Sequence, residues 1–249
     1  MSYLTRLPEV FSSRRATPQW LTLTSGYLRL TKPYPLHLRF YNGQQIKLEN
    51  RYDLATLWLV FFPPTYPLES TDRRILDLGA NLGAFTLYAA SQLPSDVRIV
   101  SVEPFPPTFD RLTWLISTNK LEDRVSSIRT ALAGQNGEVH FNDNPGLGSQ
   151  FRNVTDKGML VPSITLESLF DRIGWDEADF VKIDIEGSEY DSLLASPREV
   201  LRRMKRISME YHPDPRKQQL IDHLQNAGFK LLVDRHDGGG YGLVHFVRV

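Results

Sequence analysis

The chain has 249 residues and balances 29 basic against 29 acidic side chains. That length predicts one large domain or a core domain with an appendage, and the charge balance excludes a general electrostatic footprint for nucleic acid. There is no cysteine, which excludes disulfides, zinc–thiolate centres and cysteine nucleophiles and fits a reducing compartment. Met1–Arg15 lacks the continuous apolar core of a signal peptide, and the longest apolar stretch, Leu54–Phe62, is far short of the roughly 20 residues that span a bilayer. A cytoplasmic protein with no membrane partner is expected.

Residues 1–70 are rich in aromatics and prolines. Tyr27-Leu28-Arg29-Leu30 and His37–Tyr41 alternate in the manner of strands, and Asn42-Gly43 before Gln45–Leu48 is a hairpin signal. A small strand-containing cap is expected here, with a helical turn over Leu54–Phe62. Residues 71–249 then alternate strand and helix. Strands are expected at Arg74–Leu78, Val97–Val102, Val125–Ala131, Phe180–Ile185 and Ile207–His212, with a short extra one at Glu138–Phe141. Helices are expected at Leu82–Ala90, from an N-cap at Thr108, along the Leu166, Leu169, Phe170 and Ile173 face, at Ser188–Leu194, and from Asp214-Pro215 to Gly228. Two last strands, Phe229–Asp234 and Leu243–Val249, flank Gly238-Gly239-Gly240. Such alternation predicts a doubly wound α/β sheet, mostly parallel, closed by an antiparallel edge pair.

Asp77-Leu78-Gly79-Ala80-Asn81-Leu82-Gly83 lies where a strand hands over to a helix, the place where open α/β sheets bind ligands. A glycine there turns sharply and lets a ligand approach the backbone. A dinucleotide fingerprint would put glycines at 79, 81 and 84, whereas the chain has Gly79, Asn81 and Ala84. Asp77 suits a cofactor bearing an ammonium group, and Glu103, at the end of the second strand, is placed to accept from ribose hydroxyls. The alternative is a turn that packs helix on strand and binds nothing.

Lys182, Asp184 and Glu186 alternate onto one face of a predicted central strand, and Ser208, Glu210 and His212 onto one face of the next. Buried parallel strands are usually continuously apolar, so these groups either serve a cleft or form structural ion pairs.

Ile75–Thr86, Val102-Glu103-Pro104, Ile164–Leu169, Lys182–Glu189 and Met209–Pro213 together resemble the FkbM-type methyltransferases, in consistent order over about residues 70–247. The Lys-Ile-Asp-Ile-Glu-Gly-Ser-Glu stretch is the most specific of these. The resemblance implies a seven-stranded Rossmann-like methyltransferase fold, S-adenosylmethionine as cofactor, and O-methylation of a small-molecule hydroxyl such as that of a sugar, glycoside or secondary metabolite. Asp77, Gly79, Ala80, Asn81, Gly83 and Phe85 would then line the methionine side. Glu103 with Pro104 would hold the ribose, Ala131 and Leu132 the adenine, and Asp184 the cofactor ammonium or the acceptor.

For the chemistry, His212 is the expected base, oriented by Glu210, with Asp184 as rival and Lys182 as a charged partner. Asp184, Glu210 and His212 are also a donor set that can hold a divalent cation, although no metal is favoured. A non-catalytic scaffold with this fold and, with less support, a nicotinamide-dependent oxidoreductase remain as alternatives. The aromatic segment Trp20–Phe62 forms either a wall of the acceptor pocket or its own small core.

Overall fold

The structure is a computed structural model that describes residues 7–142 and 156–249, so the first six residues of the N-terminal stretch lie outside it. Two helices, α1 (Leu7–Ala16) and α2 (Trp20–Tyr27), precede the expected hairpin of β1 (Leu36–Arg39) and β2 (Gln45–Leu48), which is followed by α3 (Arg51–Phe61). The strand-like reading of Tyr27–Leu30 is corrected: Tyr27 ends α2 and the chain then turns. Leu23 and Tyr27 sit four residues apart and both pack into the core, with the Tyr27 ring stacked on Trp58 at 4.1 Å. Helical spacing therefore prevails over the local two-residue alternation. Asn50 caps α3 by accepting from the backbone N–H groups of Tyr52 and Asp53.

The strand–helix alternation continues through β3 (Arg74–Leu78), α4 (Ala84–Gln92), β4 (Arg98–Val102), α5 (Pro106–Thr118) and β5 (Val125–Ile128). Phe105, not Thr108, is the N-cap of α5, because Pro106 and Pro107 fill the first turn, where a missing N–H is harmless. Beyond β5 come β6 (Ala131–Leu132), β7 (Gly137–Phe141) and β8 (Met159–Ile164), which form their own three-stranded sheet in the order β6-β8-β7. The single strand expected over Val125–Ala131 is thus two strands in two sheets. The chain goes on through α6 (Leu166–Ile173), β9 (Ala178–Ile183), α7 (Glu189–Leu194), α8 (Arg198–Leu201) and β10 (Met204–Tyr211). It finishes with α9 (Lys217–Asn226), β11 (Phe229–Gly238) and β12 (Tyr241–Arg248). α9 starts later than Asp214-Pro215 predicts, because the Asp214 carboxylate first accepts from the Arg216 N–H in a turn.

The main sheet has seven strands in the order β11-β12-β10-β9-β3-β4-β5. β10, β9, β3, β4 and β5 are parallel, and β12 is antiparallel to both β10 and β11. Alternate residues supply two cores. Ile75, Ile99 and Phe180 face α4, α5 and the N-terminal segment, whereas Leu76, Val100 and Val181 face α6, α7 and α9. Both faces of the parallel strands are covered, as their apolar sequences require. The N-terminal segment belongs to the first core and is docked polarly as well. Buried Asp53 accepts from Arg111 at 2.6 Å, and Asn119 bonds both backbone groups of Gln45. Among the described residues no helix is long and apolar enough to cross a membrane.

Candidate functional site

A cleft of about 1290 Å³, counted out to its open mouth, lies at the carboxyl ends of the central parallel strands and is closed on one side by α3. In strand order the chain switches direction between β3 and β9, the position at which such sheets bind ligands.

One half of the cleft is built on the turn after β3. Gly79 has φ +79°, and a Cβ there would collide with the carbonyl of Asp184, so only glycine lets this turn lie against the end of β9. Asn81 adopts φ +51°, a conformation asparagine tolerates better than most residues. Its backbone N–H donates to Glu103 Oε2 at 2.8 Å, and its side-chain Oδ1 is buried with no hydrogen-bond partner. Glu103 Oε1 accepts from the Phe105 N–H at 3.0 Å and from the Thr108 hydroxyl at 2.7 Å. Burial raises the Glu103 pKa against these hydrogen bonds. Gly79, Ala80, Asn81, Phe85, Glu103, Pro104, Ala131, Leu132 and Asp184 all line the cleft.

Asp77 and Gly83 do not. Asp77 is fully buried, with Lys182 Nζ 3.2 Å from its Oδ1 and the Thr86 hydroxyl donating to its Oδ2 at 2.7 Å. Its charge is committed inside the protein, which removes the reason for expecting a ligand ammonium there. Gly83 is the left-handed N-cap of α4 and faces Leu112 and Leu115. Lys182 lies beneath the turn and donates to the Gly79 carbonyl at 2.7 Å. Burial opposes its charge, and the neighbouring Asp77 and Asp184 carboxylates outweigh burial, so its pKa is raised. Lys182 is a positioning residue for the turn, not a group offered to a reacting atom.

The other half is charged. β9 ends at Ile183, so Asp184 and Glu186 project from the following loop, and Glu186 takes φ +53°. The expected continuous strand face is corrected to a strand end plus a loop. Ser208 also departs from the expected set, because it bonds His245 Nδ1 at 2.8 Å and does not line the cleft. Asp184, Glu210 and His212 do converge, each offering a ligand atom within 4.8 Å of the others, a donor set of the kind that holds cations. The Asp184 charge and then burial raise the Glu210 pKa. Burial likewise raises Glu186, against its hydrogen bond with His212.

His212 Nε2 lies 3.1 Å from Glu186 Oε2, and Nδ1 lies 3.0 Å from fully buried Glu189. Burial works against the imidazolium, but the hydrogen bonds and charges of these two carboxylates prevail and push its pKa up to about 11. With a proton on each ring nitrogen at neutral pH, His212 has no lone pair to take another. This argues against the expected base role.

Reading the sequence missed Glu189 and Tyr66. Glu189 anchors His212 from below and also accepts from the His212 backbone N–H at 2.8 Å. Tyr66, in the Pro-rich linker before β3, lines the cleft. The α3 residues Thr56, Leu59 and Val60 form its outer wall. The aromatics of the N-terminal segment do not line it. Tyr27–Trp58 and Phe40–Phe61 stack on each other, and Phe61 meets Tyr88 edge-on. These rings are the segment's own core, while Thr56, Leu59 and Val60 of the same segment form a wall of the cleft, so each of the two expectations holds in part.

Comparison with known proteins places this geometry. Residues 77–231 match the model of the methyltransferase FkbM domain. Methyltransferase sdnD of Sordaria araneosa is 23% identical, the match covering 77% of this chain and 82% of sdnD. The AMB antimetabolite synthetase AmbE of Pseudomonas aeruginosa is 24% identical over 65% of this chain, which spans only 10% of AmbE. Among solved structures, methyltransferase FkbM from Methylobacillus flagellatus KT aligns with a TM-score of 0.54 at 13% identity. That alignment covers 98% of this chain and 59% of the other, and it shows a shared fold.

Proposed function

Because the chain belongs to the FkbM methyltransferase family, we propose that it transfers the methyl group of S-adenosylmethionine to a hydroxyl of a small molecule. The observation that carries this reading is the pairing of the Gly79–Asn81 turn with Glu103 across one half of a cleft whose other half holds Asp184 and Glu210. When bound, S-adenosylmethionine supplies a methyl group on a positively charged sulfur. Gly79, Ala80 and Asn81 would hold its methionine part. Asn81 Oδ1, buried without a donor, fits an ammonium N–H. Glu103 Oε2 accepts one hydrogen bond and has capacity for a ribose hydroxyl. Pro104, Ala131, Leu132 and Phe141 would enclose the adenine.

The remaining half receives the acceptor. An alcohol is scarcely ionised at neutral pH, so a base beside it helps by about 10²–10⁴-fold. Glu210 takes this role with Asp184: its raised pKa places it closer to neutrality than an ordinary carboxylate. His212 holds Glu186 and the strand end in place. A shape fixed by buried hydrogen bonds also aligns the reacting atoms, an effect that reaches roughly 7–11 kcal/mol in favourable cases.

The test is transfer of a labelled methyl group to a panel of hydroxylated small molecules, with the product bond identified by NMR. The reading predicts an O–CH₃ product. It also predicts that kcat falls about 10²-fold in Glu210→Gln while the cofactor product, S-adenosylhomocysteine, binds unchanged. A methyl group on carbon would contradict it. So would loss of the acidic limb of the pH–rate profile in His212→Gln with that limb intact in Glu210→Gln.

A further inference from the structure

In the acceptor half of the cleft, carboxylates outnumber cations among the described residues that line it. Three carboxylates of this half line the cleft, those of Asp184, Glu186 and Glu210, beside two cations, Lys182 and His212. Both cations are also drawn towards carboxylates below the surface, Lys182 to Asp77 and His212 to Glu189. Asp184 and Glu210 converge with His212, whose two ring nitrogens already face Glu186 and Glu189, and Lys182 Nζ, 3.8 Å from Asp184, is already bonded to the Gly79 carbonyl. Paired carboxylates in a partly desolvated cleft repel each other unless a cation joins them.

A second observation points the same way. Tyr66 is only 6% exposed and lines the cleft, where the Asp184 and Glu210 charges act on its hydroxyl. Burial first, then the charges of Asp184 and Glu210, keep the proton on its oxygen. A buried phenol in that state is a donor and acceptor for a ligand hydroxyl. The apolar lining of the cleft includes Leu59 and Val60 of α3, and Tyr241 is edge-on to His212 at a ring separation of 5.5 Å.

We propose that the acceptor is an amino alcohol with an apolar body: a protonated amine rests against Asp184, the neighbouring hydroxyl lies between Glu210 and Tyr66, and the carbon skeleton lies on Leu59 and Val60. This deepens the methyltransferase reading and rests on it for the identity of the reacting hydroxyl. An ammonium fits better than a divalent metal, because both nitrogens of His212 already face carboxylates. That leaves two side chains where a metal takes more protein and water ligands. Anionic acceptors, phosphorylated or carboxylated, are disfavoured by the same charges.

The experiment uses the full chain saturated with S-adenosylhomocysteine and three probes of one shape: 2-aminocyclohexanol, cyclohexane-1,2-diol and 2-hydroxycyclohexanecarboxylate. Calorimetric titration is expected to rank them in that order, the amine binding at least roughly tenfold tighter than the diol. The amine–diol gap closes in a Glu210→Gln/Asp184→Asn double variant. In Tyr66→Phe both probes weaken together and the order is kept. Equal binding of amine and diol, or tightest binding of the carboxylate, would overturn the proposal. So would tight Mn²⁺ binding that excludes the amine and is lost in the double variant. S-adenosylhomocysteine affinity is measured first in the same samples, so failure of the cofactor reading is seen separately from failure of the amine preference.

Discussion

The two halves of the cleft treat charge in opposite ways. Under the glycine turn each charged group has its partner: Asp77 has Lys182 and Thr86, and Lys182 has Asp77 and the Gly79 carbonyl. What that half presents to a ligand is mostly backbone together with Glu103 and Asn81. Across the cleft, Asp184, Glu186 and Glu210 crowd together at two strand ends, and their pairing is incomplete. The difference teaches that buried charge holds shape where it is satisfied and is available for chemistry where it is not.

The largest effect that would break this contrast lies under the glycine turn. Lys182→Met leaves Asp77 charged and without its cation at zero exposure, and unfolding in urea should show a loss of about 3–5 kcal/mol. Asp77→Asn in the same chain should recover part of that loss. If Lys182→Met is neutral, the half under the turn is not held by this pair. Next in size is Glu103→Gln, which should weaken S-adenosylhomocysteine binding by roughly 10–100-fold, equivalent to about 1.5–3 kcal/mol for a charged hydrogen bond. Its urea midpoint should move little.

Across the cleft the sign reverses. The folded-state pKa of Glu210 is raised, so its contribution to stability is greatest at low pH and is lost as pH rises through that value. Glu210→Gln should therefore match wild type at pH 5 and become the more stable of the two towards pH 9, by about 1 kcal/mol or more. An unchanged difference across that range would mean Asp184 and Glu210 do not repel.

The smallest effect expected is an absence of titration. His212 is held to a pKa of about 11, so its ¹⁵N shifts should stay those of an imidazolium from pH 6 to pH 9. The stability it contributes is present in full below the ordinary histidine value of about 6.5 and falls away as pH climbs towards 11. A midpoint near 6.5 would restore His212 as a base.

Much of this architecture was legible in the chain because strong signals acted locally. Asn42-Gly43 specified its hairpin, Gly174 stopped α6, and the alternation of strands and helices specified a parallel sheet. The glycine turn and Glu103 were legible for the same reason. Less visible was anything that depends on which strands are neighbours. Asp77 looked available to a ligand because its neutralising partner, Lys182, lies about a hundred residues away, opposite it in the β3–β9 register. His212 looked like a base because Glu189 reaches it from α7, the helix after β9, beneath the surface. Tyr66 sits in an aperiodic, proline-rich linker, where no pattern marks a side chain as facing a cleft.

The central claim is that the Gly79–Asn81 turn and Glu103 form a cofactor site for S-adenosylmethionine. Calorimetric titration of the folded chain with S-adenosylhomocysteine, with NAD as control, tests it most directly. Micromolar binding of the former alone, lost in Glu103→Ala, is the predicted result. A folded protein that binds neither, or one that binds S-adenosylhomocysteine equally well without Glu103, would contradict it.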